Sequence, residues 1–229
     1  MDAWTTNSVQ TADRVTAFLW KVYGWMAIGL GLTALVAFAV AGSPDLLRVL
    51  IGNRLVFFAL IIAELGLVFY LSARADRLAP GTAAGLFAIY SALNGVTLSA
   101  ILLVYTGESV TMTFVVTAGM FGALALFGST TKRSLAGAGQ FFMMGLVGLI
   151  LASLIGIFWH NDALQFLISA CGVIVFTGLT AYDAQKLKAM ALAAEGPQVG
   201  SYAISGALAL YLDFVNLFLM ILRLFGGRR

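Results

Sequence analysis

Charged residues are scarce in this sequence. Of its 229 residues, 10% are charged and 61% are hydrophobic, and the mean hydropathy is +0.99. A soluble domain carries about 25% charged residues. Folding in water would require one core to hide the apolar surplus, but a chain of this length still exposes about a quarter or more of its unfolded surface. The composition therefore excludes an ordinary soluble protein and indicates an integral membrane protein.

Side chains that bind metals and motifs that bind nucleotides are also nearly absent. The single cysteine, Cys171, rules out an intrachain disulfide framework. The single histidine, His160, leaves no cluster of soft ligands for zinc or haem. The sequence contains no P-loop, no GxGxxG and no HExxH. We therefore expect no cofactor and no nucleic-acid partner.

Seven apolar runs approach the length that crosses a bilayer, which is about 20 helical residues for ~30 Å of hydrocarbon. Turn residues separate them. The runs cover residues 18–42, 52–73, 82–105, 110–128, 136–159, 163–185 and 203–225. We predict an all-α integral membrane protein in which residues 18–229 form one domain of seven transmembrane helices, here segments one to seven. The longest connection, 186–202, could include an extra helical turn.

The N-terminus is predicted to be cytoplasmic. Residues 1–17 are polar and acidic, unlike a secretory signal peptide, so we interpret them as a retained cytoplasmic tail. Basic residues are retained on the cytoplasmic side, and this orientation places eight Lys and Arg inside against five outside. Three of the five lie at the C-terminus, so a re-entrant segment seven would make the bias larger. The charge rule leaves the path of that segment open.

Two aspartates lie within apolar runs near the C-terminus. A charge at mid-bilayer costs at least a few kcal/mol, so an intramembrane acid is a functional candidate. Asp213 lies near the middle of segment seven, and Asp183 lies near the inner end of segment six. Two carboxylates at hydrogen-bond distance share a proton, because both do not ionise cheaply. A facing pair would act as a pH switch. The alternatives are a packing network around a protonated Asp213, and neutralisation of Asp183 by Lys186.

The face of segment seven that carries Asp213 must contact protein or water. Helical spacing places a stripe of residues on this face: Tyr202, Gly206, Ala209, Asp213, Asn216 and Met220. The small residues of this stripe would permit a neighbouring helix to approach closely.

A third acid, Glu64, lies near the centre of segment two. Arg74 on the same helix is ten residues, or about 15 Å, away, so a direct contact is not expected. Glu64 should line a wet cavity or be a neutral acid bonded to a facing helix. Segment three offers a polar face at helical spacing: Tyr90 or Ser91, Asn94, and Thr97 or Leu98. For Ser91 and Thr97 we favour ordinary hydrogen bonding between helices.

Three stretches resemble a known family. "FGSTTKRSLAGAGQFFMMGLVGLILASLIGIF" (127–158), "GLTAYDAQKLK" (178–188) and "LYLDFVNLFLMILRLFG" (210–226) are similar to the bacterial branch of the Bax inhibitor family, also called the transmembrane Bax inhibitor motif family. The resemblance runs through nearly the whole chain, and the last two motifs are the specific ones. It implies six helices around a central, C-terminal seventh, and a pH-sensitive calcium leak in a bacterial inner membrane.

The resemblance also implies roles for individual residues. In that family the acids of the last two motifs form a diaspartyl sensor, here Asp183 and Asp213, which alternates between a proton-sharing closed pair and an open, separated state. Glu64 resembles the family's ion-pathway carboxylate. Arg74 is the nearest match to a basic residue that interacts with the sensor, and Arg77 is the alternative. The two acids are 30 positions apart, farther than in the relatives, so gating by the connection between them could differ.

The leading hypothesis is a proton-regulated calcium leak channel or a proton-coupled calcium transporter. Calcium binds several oxygen ligands, and the three intramembrane acids would supply transient, incomplete coordination. Asn94 and Asn216 would add oxygen ligands along the ion pathway. Weak binding suits conduction. The expected partners are the lipid bilayer, calcium, protons and possible membrane-protein partners.

Two other classes of function are alternatives to a calcium leak. The first is a membrane adaptor, which would regulate other membrane proteins or membrane proteolysis without transport. The second is an aspartyl intramembrane protease, which carries "YD" with "GxGD". Tyr182 and Asp183 match the first motif, but Leu210, Tyr211 and Leu212 precede Asp213 in place of the second. We therefore expect that the protein is not an enzyme.

Overall fold

The computed structural model describes residues 3–74, 77–159, 161–193 and 199–229. Within these residues there are seven helices that are long and apolar enough to cross a membrane, and no β-strand. In chain order they are α1 (Ala3–Ala41), α2 (Arg54–Arg74), α3 (Pro80–Val104), α4 (Gly107–Thr130), α5 (Ala136–Phe158), α6 (Asp162–Ala193) and α7 (Val199–Phe225). The predicted all-α integral membrane fold is confirmed.

Two of the helices are longer than the sequence predicted. Helix α1 begins at Ala3, and its membrane-spanning part begins at Ala12, because no proline or glycine interrupts the stretch assigned to the tail. Met1 and Asp2 lie outside the described residues. Helix α6 continues to Ala193, which confirms the extra helical residues in the 186–202 connection. Residues 194–198 of that connection also lie outside the described residues. The gating role of the connection therefore stays a prediction.

The described chain separates into two compact units. The first comprises Met1–Val104 and Lys188–Tyr211, and the second comprises Tyr105–Leu187 and Leu212–Arg229. In the first unit, α3 packs against α1 and α2. Gly95 of α3 makes this packing close, because a Cβ at that position would meet the backbone of Thr33. The single domain predicted for 18–229 stays a prediction.

The second unit has a hydrophobic core formed by α4, α5, α6 and the C-terminal part of α7. Buried side chains from three of these helices make up its centre: Leu149, Ile168, Val175, Phe176, Leu179, Leu217, Met220 and Ile221. Helices α4 and α5 approach α6 through glycines. A Cβ on Gly128 would meet the backbone of Ala181, and one on Gly139 would meet the Tyr182 ring. The turn of α6 before Asp183 is therefore tightly enclosed.

Helix α7 is the most buried of the spanning helices. Half of its most apolar stretch is buried, against 39% for α6 and 6% for α2. The central position predicted for segment seven stays a prediction. The stretch of α2, in contrast, has a hydropathy of 2.4, so its exposed side chains require lipid as their solvent.

Segment seven forms one continuous helix. Helix α7 is unbroken over 27 residues, or about 40 Å at ~1.5 Å per residue. In the first unit, the Ser201 hydroxyl near its start donates to the Leu78 carbonyl at 2.7 Å. In the second unit, the Thr106 N–H donates to the Gly227 carbonyl at 3.1 Å, just beyond its end. A helix of this length is long enough to cross the membrane, and the full crossing of segment seven stays a prediction.

Candidate functional site

The structure brings the two predicted sensor aspartates together. Asp183 on α6 and Asp213 on α7 both belong to the second unit, and one carboxylate is close enough to act electrostatically on the other. Asp213 is 6% exposed, and its Oδ2 has no hydrogen-bond partner among the described residues. Burial of an unpaired carboxylate oxygen is costly. Asp213 is therefore a buried acid whose free-energy cost a neighbouring carboxylate increases.

Neighbouring helices hold the position of Asp183. Two residues further along α6, Gln185 bonds both ends of its amide to the connection between α4 and α5. Its Oε1 accepts from the Leu135 N–H at 2.7 Å, and its Nε2 donates to the Arg133 carbonyl at 2.9 Å. Lys186, one turn along the helix, attracts the Asp183 carboxylate. Neutralisation of Asp183 by Lys186 stays a prediction.

Asn216 does not direct its amide donor at Asp213. Its Nδ2 donates to the Leu212 carbonyl of its own helix at 2.8 Å. This bond satisfies the amide donor one turn back along α7. The role of Asn216 on an ion pathway stays a prediction.

Glu64 is bonded to the facing helix that the sequence indicated. In the first unit, the Thr97 hydroxyl on α3 lies 2.9 Å from Glu64 Oε1 and 3.0 Å from the Asn94 carbonyl. Because a carboxylate and a carbonyl only accept, Thr97 donates to both. Glu64 itself is half-buried. The expectation of a bond between helices is confirmed for Thr97. The Ser91 hydroxyl donates to the Phe87 carbonyl of its own helix at 2.9 Å and also interacts with the Tyr211 hydroxyl on α7.

Asn94 has an unused acceptor. Its Nδ2 donates to the Tyr90 hydroxyl at 3.4 Å, whereas its Oδ1 is buried without a partner among the described residues. An unsatisfied buried amide oxygen costs about 1–3 kcal/mol. The role of Asn94 on an ion pathway stays a prediction.

The basic residue proposed to couple to the sensor lies at the end of α2. Arg74 is the last residue of that helix and is exposed. Its guanidinium lies over the Tyr70 ring, 5.9 Å from the centroid. Arg77 is also exposed, and its N–H donates to the Arg74 carbonyl at 2.9 Å. The choice between the two stays a prediction.

The three acids do not form one metal site. Glu64 belongs to the first unit and the aspartates to the second. Within the described part of the chain, no group of three or more Asp, Glu, His or Cys side chains is arranged to hold a metal ion. The role of these acids as transient calcium ligands stays a prediction.

Sequence reasoning missed the polar contact on the other face of α7. The Tyr211 hydroxyl lies 2.6 Å from Thr33 Oγ1 on α1. Both residues are buried. A signal for it was present, because residues 211 and 213 point about 200° apart on a helix. Polar groups on opposite faces indicate that α7 contacts protein on both sides.

Comparison with known proteins identifies the family. The family profile described as "Inhibitor of apoptosis-promoting Bax1" matches residues 15–229. The chain is 50% identical to the inner membrane protein YbhL of Escherichia coli K12, over 96% of both chains. It is 43% identical to a protein of Deinococcus radiodurans, over 96% of this chain and 94% of that protein. It is 42% identical to a protein of Borreliella burgdorferi, over 93% of this chain and 92% of that one. The chain therefore belongs to the Bax inhibitor family of multi-pass membrane proteins.

Proposed function

We propose that this membrane protein is a pH-sensitive calcium leak, gated by the Asp183–Asp213 pair. The observation that carries the proposal is the position of Asp213. It is buried beside a second carboxylate, and one of its oxygens has no partner among the described residues. The proposal assigns no enzymatic reaction and no resident cofactor.

The proposed gating mechanism follows from the free-energy cost of burying two negative charges at Asp183 and Asp213. Two adjacent carboxylates in an apolar helix pair repel each other, so the stable arrangement has one shared proton. A hydrogen bond between an acid and a carboxylate is charge-assisted and about twice as strong as a neutral one. The proton-sharing state therefore holds α6 and α7 together and closes the pathway.

Acidification should open this gate. A second proton removes the remaining negative charge, so the strong bond between the carboxyls becomes an ordinary neutral one. The opposite change, loss of the last proton, would leave two buried charges and costs far more. The calcium leak should therefore rise as the pH falls.

The pathway proposed for the ion includes the Glu64 carboxylate and the free Asn94 oxygen. One carboxylate with neutral oxygens is fewer than the six to eight ligands that bind calcium tightly. Incomplete coordination favours rapid passage, because an ion that binds weakly leaves easily. We place the protein in the bacterial inner membrane with a cytoplasmic N-terminus, as the YbhL name and the charge distribution support.

The test is calcium flux into liposomes that contain a calcium-sensitive dye. Wild type should leak above protein-free vesicles, and more at acidic than at alkaline pH. Asp213→Asn cannot share a proton between two carboxyls, so the ratio of acidic to alkaline flux should fall by on the order of tenfold. Asp162→Asn is the matched control, since Asp162 is an exposed acid at the start of α6.

Equal flux from wild-type and protein-free liposomes would contradict the proposal. So would a wild-type pH profile in Asp213→Asn. Absence of flux, together with capture of membrane proteins by both wild type and Asp213→Asn, would favour the adaptor hypothesis instead.

A further inference from the structure

We propose that Lys132, Arg133 and Lys186, held together by Gln185, form a binding site for the headgroup of an anionic phospholipid. The site lies within the second unit, at the end where α4 is connected to α5. The three basic side chains are exposed. Two of them belong to the connection between α4 and α5, and the third belongs to α6. The proposal concerns lipid binding alone, so it does not depend on the calcium leak.

Gln185 brings the basic residues of the two segments to one place. It directly precedes Lys186 on α6, and its side chain bonds the connection that carries the other two. Its Nε2 donates to the carbonyl of Arg133 at 2.9 Å, and its Oε1 accepts from the Leu135 N–H at 2.7 Å. Both bonds use backbone atoms of the connection. The charged ends of the Lys132 and Arg133 side chains therefore stay available to a ligand.

The helices that carry this site are also packed closely together. A Cβ on Gly128, near the end of α4, would meet the backbone of Ala181 on α6. A Cβ on Gly139, near the start of α5, would meet the ring of Tyr182 on α6. The connection therefore has little freedom to move away from α6. A site that is already ordered binds its ligand more tightly, because less ordering is needed on binding.

The charge at this end of the second unit is positive. The unit contains four acids. Glu108 and Asp162 lie in the first turns of α4 and α6, at the opposite end of these helices, and Asp213 is buried within α7. Asp183 is thus the one acid near the three bases, and it acts on Lys186 from a partly buried position. The net positive charge favours an anionic ligand.

Exposed aromatic side chains next to the bases favour a lipid over a soluble anion. Phe127 in the last turn of α4 is 55% exposed, and Phe141 in the second turn of α5 is 70% exposed. Rings near the ends of spanning helices lie where lipid headgroups meet acyl chains. A phospholipid would offer its phosphate to the bases and its acyl chains to these rings. Basic pockets between spanning helices bind anionic headgroups in this way.

The experiment measures phosphatidylglycerol at this site by fluorescence quenching. The full chain with Cys171→Ser and Ser134→Cys carries one fluorophore, on the exposed part of the connection. It is reconstituted in phosphatidylcholine vesicles that contain equal amounts of either brominated phosphatidylglycerol or brominated phosphatidylcholine. The ratio of the two quenching constants reports which lipid is enriched around residue 134. Phosphatidylglycerol should quench more strongly. Equal quenching by the two lipids would overturn the proposal.

Substitution of each base should reduce the preference for phosphatidylglycerol. Lys132→Gln, Arg133→Gln and Lys186→Gln should each lower the ratio by up to about fivefold, the contribution of one basic residue at an anionic surface. Arg223→Gln is the matched control, because it removes an exposed cation in the last turn of α7. The control should keep the ratio of the unsubstituted chain. An equal decrease in all four variants would show that net charge alone attracts the lipid, and would overturn the site.

A variant that keeps every charge tests whether Gln185 builds the site. Gln185→Met removes both bonds to the connection, so the ratio should fall about threefold, the effect of one bond between helices. Thermal unfolding in detergent verifies that the variant is folded. If the folded variant keeps the original ratio, the site is not held by Gln185 and the proposal is wrong.

Inorganic phosphate distinguishes a lipid from a soluble anion. Added in excess at constant ionic strength, it should leave the quenching ratio unchanged, because it makes no contact with the exposed rings. Loss of the preference for phosphatidylglycerol under these conditions would identify a soluble phosphate site and overturn the assignment to a lipid. None of these measurements uses calcium, so their outcome is independent of the flux experiment.

Discussion

Thr97 illustrates how a single hydroxyl in an apolar helix can matter to function. Most buried serine and threonine hydroxyls described here donate to a carbonyl of their own helix, as Thr117 does at 2.7 Å and Thr180 does at 2.7 Å. Such bonds satisfy the side chain and leave nothing for a ligand. Thr97 instead reaches Glu64 on the facing helix. Its hydroxyl therefore orients the carboxylate assigned to the ion pathway.

Removing the Thr97 hydroxyl should weaken conduction without removing the acid. In Thr97→Val the Glu64 carboxylate loses its donor from α3, and the calcium leak should fall about threefold. Glu64→Gln removes the charge itself and should lower the leak on the order of tenfold. Dye-loaded liposomes measure both. Thr111→Val should leave the leak unchanged, and a wild-type leak in Glu64→Gln would remove Glu64 from the pathway.

The sequence alone identified some of the polar residues of the candidate site but not their hydrogen-bond partners. Asp183, Asp213 and Glu64 could be selected because a charge in hydrocarbon is costly wherever it points. The different partners of Ser91 and Thr97 could not be predicted. The two side chains point about 120° apart around α3, and the sequence does not show which helix packs against each direction.

At the scale of helices, glycines decide where two backbones meet. Helices α4 and α5 each contain several glycines, and only some of these glycines contact another helix. Gly128 and Gly139 abut α6, whereas a Cβ on Gly122 or Gly148 would meet nothing within 4 Å. The spacing of the glycines along the sequence could not separate those that contact α6 from those that do not. The contact depends on which face of each helix turns inwards.

Gly128→Ala should destabilise the protein. Its Cβ would meet the backbone of Ala181, which cannot move aside as a flexible side chain would. Overpacking of this kind costs about 1–3 kcal/mol. Gly122→Ala on the same helix should be neutral, or stabilising by up to about 1 kcal/mol through helix propensity. Thermal unfolding in detergent measures the difference. Equal midpoints for the two variants would contradict the close approach of α4 to α6.

At the scale of the whole molecule, the orientation of the protein in the membrane stays a prediction. Seven crossings would place the two termini on opposite sides of the membrane. The three C-terminal arginines then lie outside if the N-terminus is inside. The positive-inside bias is eight to five in that case, and it still favours a cytoplasmic N-terminus.

This orientation can be tested by labelling. In a Cys171→Ser background, Arg229→Cys should react with an impermeant maleimide in right-side-out membrane vesicles, because the C-terminus faces the outside. Ser134→Cys, in the connection between α4 and α5, should react only after permeabilisation. The reverse pattern would show that the protein is inserted with its N-terminus outside, and reaction of both would contradict the proposed crossings.

The sequence by itself determined the membrane environment, the spanning runs and the acids that matter, because hydropathy, helix length and the cost of charge are local properties. It could not show that Asp183 acts on Asp213, that Thr97 donates to Glu64, or that Tyr211 and Thr33 share a hydrogen bond. These contacts join residues distant in the chain, and they depend on how the helices are rotated against one another. Packing sets that rotation, so only the tertiary structure decided which polar groups became partners.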